Sequence, residues 1–133
     1  MHKHLIALLA AGVLVLGGGV AYAHHPFAAE YDTNKPADVE GKVTMVNWAN
    51  PHASITIAAK DANGKLEHYQ VELGSPQALM QKGLKKGDLR VGQTVTVMGW
   101  YGRDTQSRIN ARVLKVNGKE FDAASSYYTA AAN

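Results

Sequence analysis

Cysteine is absent from the 133 residues, which excludes disulfides, thiolate metal sites and cysteine nucleophiles together. The sequence also lacks the Gly-x-Ser-x-Gly pattern of serine hydrolases, the His-Glu-x-x-His pattern of zinc proteases and the phosphate-binding glycine patterns. Charge is sparse, with fourteen Lys and Arg against eleven Asp and Glu. So small an excess is not the basic surface of a nucleic-acid-binding protein. With 46% apolar residues, the composition indicates a globular protein. The missing motifs leave it without a recognisable catalytic signature.

The first 23 residues have the three parts of a secretory signal. A short positive start that contains Lys3 precedes an uncharged apolar run over residues 5–21, and small residues at Ala21 and Ala23 suit signal peptidase. An uncleaved membrane anchor is the alternative, but three glycines at 17–19 weaken the end of the run as a helix. We therefore expect a signal peptide over residues 1–23, a periplasmic or secreted product and no stable membrane anchor after cleavage.

Cleavage after Ala23 would leave 110 residues, which suffice for one domain with a single modest core. Only Lys3 of the basic residues is removed, so thirteen remain against eleven acidic residues, a net charge of +2. The last eleven residues contain mostly Ala, Ser, Thr and Tyr without periodicity. The sequence thus predicts one folded domain over residues 24–122 and a flexible tail over 123–133.

Five stretches have the pattern of β-strands. The clearest covers residues 53–60, where Ile55 and Ile57 alternate with polar residues in the two-residue period of a half-buried strand. A turn signal at Asp61–Gly64 follows it and predicts a hairpin. The other strands are predicted over 39–48, 66–73, 94–101 and 109–116, with a short sixth piece at 119–121, and residues 32–36 are predicted to form a turn.

A short helix is predicted between the third and fourth strands, over residues 76–82. Ser75 can cap its start, Pro76 suits its first position and Gly83 can end it. Its core-facing residues would be Leu79, Met80 and Leu84. Three strands, a short helix and two further strands follow the order of the OB fold. The predicted fold class is therefore mainly β, a small five-stranded OB-like barrel with one short helix between strands 3 and 4.

Removal of the leader would place a histidine at the new N-terminus. His24 can chelate a metal through its α-amine and its ring Nδ1, and the amine loses its proton readily because its pKa is about 8. Copper is the common divalent metal that such nitrogen ligands bind best. His52 follows the rigid Asn50-Pro51 junction between the first two strands and can supply a further nitrogen, as can His25. These three histidines form a candidate copper site.

A second interpretation needs no metal. Trp48, Trp100 and Tyr101 can present an aromatic surface to a small ligand or to another exported protein, although simple packing in the core also explains them. Nucleic acid is not expected as a partner, since export and a charge of +2 both oppose it.

Several other residues have simple structural interpretations. Met45 and Met98 are expected to fill the core, and His68 is expected to be exposed on the polar side of its strand. Residues 30–32 follow the histidine pair closely and can orient a histidine ring by accepting its second N–H.

Five segments resemble a known family: residues 24–32 (HHPFAAEYD), 39–43 (VEGKV), 48–52 (WANPH), 73–76 (LGSP) and 92–97 (GQTVTV). Together they are similar to small exported bacterial proteins catalogued as domain of unknown function 6152. The resemblance extends from His24 to about Phe121. It implies an exported, periplasmic, β-rich protein and no particular activity.

The leading hypothesis is therefore an exported binding protein that carries or buffers copper. Carriage is favoured over catalysis because the sequence offers no group that would activate a substrate. A copper-dependent oxidative enzyme is a third hypothesis, which requires an open coordination position and a surface for the substrate.

Overall fold

The computed structural model describes residues 27–125 and is mainly β. A four-residue helix, α1 (Phe27–Glu30), precedes the first strand. Within this part of the chain, no helix is both long enough and apolar enough to cross a membrane. The remaining elements are β1 (Tyr31–Asn47), β2 (Ser54–Lys60), β3 (Leu66–Glu72), α2 (Pro76–Gln81), a 3-10 helix (Lys86–Asp88), β4 (Thr94–Gly102), β5 (Arg108–Val116) and β6 (Lys119–Asp122).

The six strands form one sheet in the order β3-β2-β1-β4-β5-β6, and these neighbours pair in antiparallel fashion. An additional parallel pairing of β3 with β5 closes five of the strands into a ring, to which β6 is added through β5. At this closure Gln70 pairs with Arg108 and Glu72 pairs with Asn110. The end of β3 therefore lies beside the start of β5.

The core lies inside the ring and follows the predicted two-residue period. Ile55 and Ile57 of β2 are buried, as are Tyr69 and Val71 of the neighbouring β3. Each fully buried aliphatic side chain of this size stabilises a protein by about 1.5–3 kcal/mol. The alternation in the sequence thus correctly predicts which side of each of these strands faces inward.

The first strand is longer than the sequence predicts, and the turn predicted at residues 32–36 is wrong. β1 begins at Tyr31, and its register with β4 shifts between Tyr31 and Pro36. Asp32 Oδ1 accepts a hydrogen bond from the Asn34 amide at 3.0 Å within this irregular stretch. The turn-forming residues are accommodated by a local irregularity of an extended strand rather than by a reversal of the chain.

Two methionines predicted to face the core lie on the surface instead. Met45 is 61% exposed because the register between β1 and β2 shifts between Val43 and Met45, which turns the later residue outward. Met80 is 52% exposed, since Leu79 faces the core and the next residue of a helix is rotated by about 100° from it. Met98, by contrast, is half-buried.

The short helix α2 begins as predicted and ends one residue early. Ser75 Oγ accepts a hydrogen bond from the Ala78 amide at 3.2 Å, and Pro76 occupies the first turn. Gly83 has a φ of +91°, the left-handed conformation that ends many helices. Leu84 is fully buried directly after it.

Replacing Ser75 with Ala is expected to lower the free energy of unfolding by about 1 kcal/mol, because the Ala78 amide loses its acceptor. Urea unfolding followed by circular dichroism measures the change. Ser75→Asp restores an acceptor and should remain close to the wild-type stability. Equal losses in both variants would contradict a capping role for Ser75.

The first residues of the predicted tail are packed against the sheet. Ala123 and Ser125 are fully buried, and the Ala123 amide donates to the carbonyl of Arg112 at 2.8 Å. The Gly74 amide donates to the Ala123 carbonyl at 2.9 Å. Backbone pairing therefore continues beyond β6 to Ala123. Residues 126–133 of the predicted tail lie outside the described part.

Candidate functional site

A hydrogen-bonded cluster surrounds the carboxylate of Glu72 at the end of β3. Its Oε1 lies 3.1 Å from Nδ1 of His52, and its Oε2 accepts a hydrogen bond of 2.7 Å from the hydroxyl of Tyr31. A carboxylate oxygen at this distance can accept a hydrogen bond from Nδ1 when that nitrogen carries the proton. In that tautomer of the neutral ring the lone pair is on Nε2, the nitrogen that can then bind a metal ion.

The hairpin of β2 and β3 positions His52 beside this carboxylate. Its register pairs Ser54 with Glu72. Beyond that pair, the Ala53 amide donates to the Gly74 carbonyl at 2.9 Å, and the Leu73 amide donates to the Ala53 carbonyl at 2.9 Å. The ladder is thus extended by one residue past the strand, so His52 is held by the adjoining backbone.

Tyr31 is the buried member of the cluster, with 3% of its surface exposed. Burial raises the pKa of its phenol well above the ordinary value, and the hydrogen bond to Glu72 raises the pKa further. The hydroxyl therefore keeps its proton at neutral pH and acts as a donor to Glu72.

Arg108 connects the cluster to α1. Its Nη2 lies 3.3 Å from Glu30 Oε2 and 3.4 Å from the Tyr31 hydroxyl oxygen, and its guanidinium carbon lies 5.4 Å from the centre of the Tyr31 ring. A cavity of about 190 Å³ opens beside these groups. It is lined by Tyr31, His52, Ala53, Ser54, Gln70, Glu72 and Arg108.

The start of the described chain packs on the same cluster. Phe27 is buried, stacks on Tyr31 with ring centres 5.4 Å apart and meets Trp100 edge-on at 5.6 Å. From the loop between β4 and β5, Arg103 Nε donates to the Ala28 carbonyl at 2.6 Å. The first described residues therefore pack on Tyr31, whose hydroxyl donates to Glu72.

Of the three predicted metal ligands, His52 lies in this cluster, and His24 and His25 lie outside the described residues. Three residue steps separate His24 from Phe27, which limits the distance between their Cα atoms to about 11 Å. Among residues 27–125, no group of three or more His, Cys, Asp or Glu side chains is arranged to hold a metal ion. His68 is exposed, as predicted.

The structure does not bring the three predicted aromatic residues to one surface. Trp100 lines a groove of about 460 Å³, whereas its neighbour Tyr101 lines a different cavity of about 400 Å³ together with Tyr69. Trp48 lines neither of these and packs, half-buried, against the core. A single aromatic platform is therefore not formed by these side chains.

Glu72 and Arg108 are the site residues that the sequence did not identify. Residues 30–32 were expected to orient a histidine ring, but Glu72 makes that contact with His52. Tyr31 acts on the histidine through Glu72, and Glu30 pairs with Arg108. The hairpin register contained the missing signal, because counting outward from the Asp61–Gly64 turn places residue 72 opposite residue 54.

The fold and the cluster define a small β protein with a closed ring of five strands and a carboxylate-oriented histidine at the closure. The chain belongs to DUF6152, a family of unknown function, whose family model matches residues 11–110. This match confirms the resemblance seen in the sequence segments. A search of curated proteins gives no match.

Proposed function

We propose that this protein is an exported, periplasmic copper-binding protein that carries or buffers the metal. The ligands would be the α-amine and ring of His24 together with Nε2 of His52, with His25 as a further candidate. The observation that carries the proposal is the contact of 3.1 Å between His52 Nδ1 and Glu72 Oε1.

That contact is the arrangement that supports metal-bound histidines in many proteins. A carboxylate behind the ring fixes its orientation and its tautomer and increases the basicity of the opposite nitrogen. Imidazole and amine nitrogens favour copper among the divalent metals, by ligand type and by the stability order. Glu72 would therefore be the outer-sphere partner of a copper-bound His52.

The contacts of the first described residues support a site formed by the N-terminal His24 together with His52. Phe27 stacks on Tyr31, and the Tyr31 hydroxyl donates to the carboxylate that holds His52. Covalent geometry limits His24 to within about 11 Å of Phe27, and the proposal places its nitrogens against the ring of His52. Cleavage after Ala23 is part of this proposal, because the chelating amine exists only on a first residue.

Two further features support the proposed fold type and role. A ring of five strands closed by β3 and β5, with α2 between β3 and β4, supports assignment to the OB fold. The cavity of about 190 Å³ beside His52 is smaller than ordinary ligand pockets, which measure about 300–1,000 Å³. A small cavity suits a bound metal with few additional ligands better than it suits a large substrate.

The test compares protein that begins at His24 with protein that carries one added glycine before His24. We expect the extension to weaken Cu(II) binding by at least about a hundredfold, because the amine chelate is lost, and His52→Ala to weaken it similarly. Affinity is measured by competition with a chelator, and the coordination is followed by the Cu(II) EPR spectrum. His68→Ala is the matched control, since that histidine is exposed and should leave both readouts unchanged. Unchanged affinity and spectrum in the extended protein would refute the chelating terminus.

A second candidate function is metal-free binding of a small ligand or an exported partner at the groove beside Trp100. This groove of about 460 Å³ is also lined by Met98 and Arg112, which combine apolar and charged surface. Under this function Trp100→Ala would abolish ligand binding while His24→Ala would not. Metal analysis of protein isolated from a periplasmic extract distinguishes the two functions, because only the first predicts stoichiometric copper.

A further inference from the structure

We propose that Arg103 and Arg108 hold α1 against the ring and so position the N-terminal copper ligand relative to His52. This inference rests on the proposed function. The two arginines flank the connection between β4 and β5, and neither belongs to the proposed ligand set. Arg103 would be a positioning residue that acts through α1, whereas Arg108 would act through α1 and also through its contact with the Tyr31 hydroxyl.

Arg103 holds α1 mainly by donating hydrogen bonds to the backbone carbonyls of that helix. Its side chain donates from Nε to the Ala28 carbonyl at 2.6 Å, and its own amide donates to the Glu30 carbonyl at 2.9 Å. Nη1 also lies 3.8 Å from Asp32 Oδ2, just beyond the helix. The carbonyls of a single helical turn have no partners within the helix, so Arg103 satisfies groups that α1 itself cannot.

Arg108 and Phe27 hold the same segment from other sides. Arg108 pairs with Glu30 at 3.3 Å, and Phe27 is buried against the rings of Tyr31 and Trp100. An isolated helix of four residues has no stability of its own in water. The position of α1 therefore depends on these contacts with the rest of the fold.

A loosened α1 would reduce copper affinity without removing a ligand. Only conformations with His24 near His52 would bind the metal through both histidines. The apparent copper affinity falls as the fraction of such conformations falls. Fixing the backbone of each residue costs about 1–2 kcal/mol of conformational entropy. In the metal-free protein the arginine contacts hold α1, the segment nearest to His24, in place before the metal binds.

Arg103→Gln tests the inference most cleanly. The Arg103 side chain is half exposed, and none of its hydrogen bonds or ion pairs within residues 27–125 reaches His52 or Glu72. We expect about a tenfold loss of Cu(II) affinity in protein that begins at His24. We also expect faster hydrogen exchange of the amides in residues 28–32 of the metal-free protein, and Arg103→Lys should recover only part of both effects.

Arg90→Gln is the matched control for charge. Arg90 is exposed in the segment before β4, and in the described part of the chain no hydrogen bond or ion pair joins its side chain to α1. Arg108→Gln should reproduce the effects of Arg103→Gln. Unchanged exchange in residues 28–32, or faster exchange with unchanged copper affinity, would overturn the positioning role. Neither result would contradict the proposed function. That function is refuted separately if the added glycine leaves copper binding unchanged.

Discussion

Replacing Gly99 with Ala is expected to destabilise the protein by about 3 kcal/mol, the upper part of the range for overpacked sites. Gly99 lies in β4 opposite Ala111 of β5, where the register between the strands shifts after Met98. A Cβ atom at this position would overlap the carbonyl of Asn110 and lie 3.1 Å from the Cα of Ala111. Both obstacles are backbone atoms, so no side-chain rotation relieves the overlap and the strands must separate. Urea unfolding at neutral pH measures the loss.

Gly87→Ala is the control for this prediction. Gly87 lies in the 3-10 helix, and a Cβ atom there would meet no heavy atom within 4 Å. Its unfolding midpoint should stay close to that of the wild type. If Gly99→Ala unfolded at the same midpoint as Gly87→Ala, the close approach of β4 and β5 at Gly99 would be wrong.

Replacing Glu72 with Ala is the second large effect that we expect. In metal-free protein the loss should be about 1–3 kcal/mol, because the buried Tyr31 hydroxyl loses its acceptor. Copper affinity should also fall about ten- to a hundredfold, as it does when the outer partner of a metal-bound histidine is removed. Chemical unfolding and chelator competition measure the two losses independently.

A double-mutant cycle with Tyr31→Phe separates the hydroxyl contact from other effects of the mutation. The coupling between Glu72 and Tyr31 should be about 0.5–3 kcal/mol, so the double variant should be more stable than the two single losses predict. The pH dependence provides a further check. The pKa of Tyr31 is higher in the folded protein, so its contribution is fully present below the unfolded pKa of about 10 and is lost as the pH rises through the folded pKa. Additive losses, together with the same alkaline pH dependence of stability in the wild type and in the Tyr31→Phe variant, would contradict the contact.

Much of the fold could be predicted from the sequence because local patterns determine it. The alternation at Ile55 and Ile57, the hairpin signal at Asp61–Gly64 and the cap at Ser75 depend on side-chain period and turn chemistry alone. The surface positions of Met45 and Met80 were missed for different reasons. The first depends on a register shift between strands, and the second on which side of a single helical turn meets the core.

The candidate site was harder to predict because its residues are distant in the sequence. His52 could be proposed from its rigid loop, but its contact with Glu72 requires the hairpin register, and the contact of Glu72 with Tyr31 joins residues 41 positions apart. Arg108 reaches the cluster only through the parallel closure of β3 and β5. Composition and spacing carry no information on that closure, so these partners emerge only from the folded chain.

The short β6 has a consequence for self-association. Within residues 27–125 it is the only strand of the sheet with a single paired strand, because the other five close on one another. Exposed unpaired strands invite edge-to-edge addition of a second molecule, and proteins counter this with short edges that carry charge. β6 has four residues, and Lys119, Glu120 and Asp122 are exposed while Phe121 points inward. The architecture thus limits intermolecular strand addition, a property that favours solubility at high concentration.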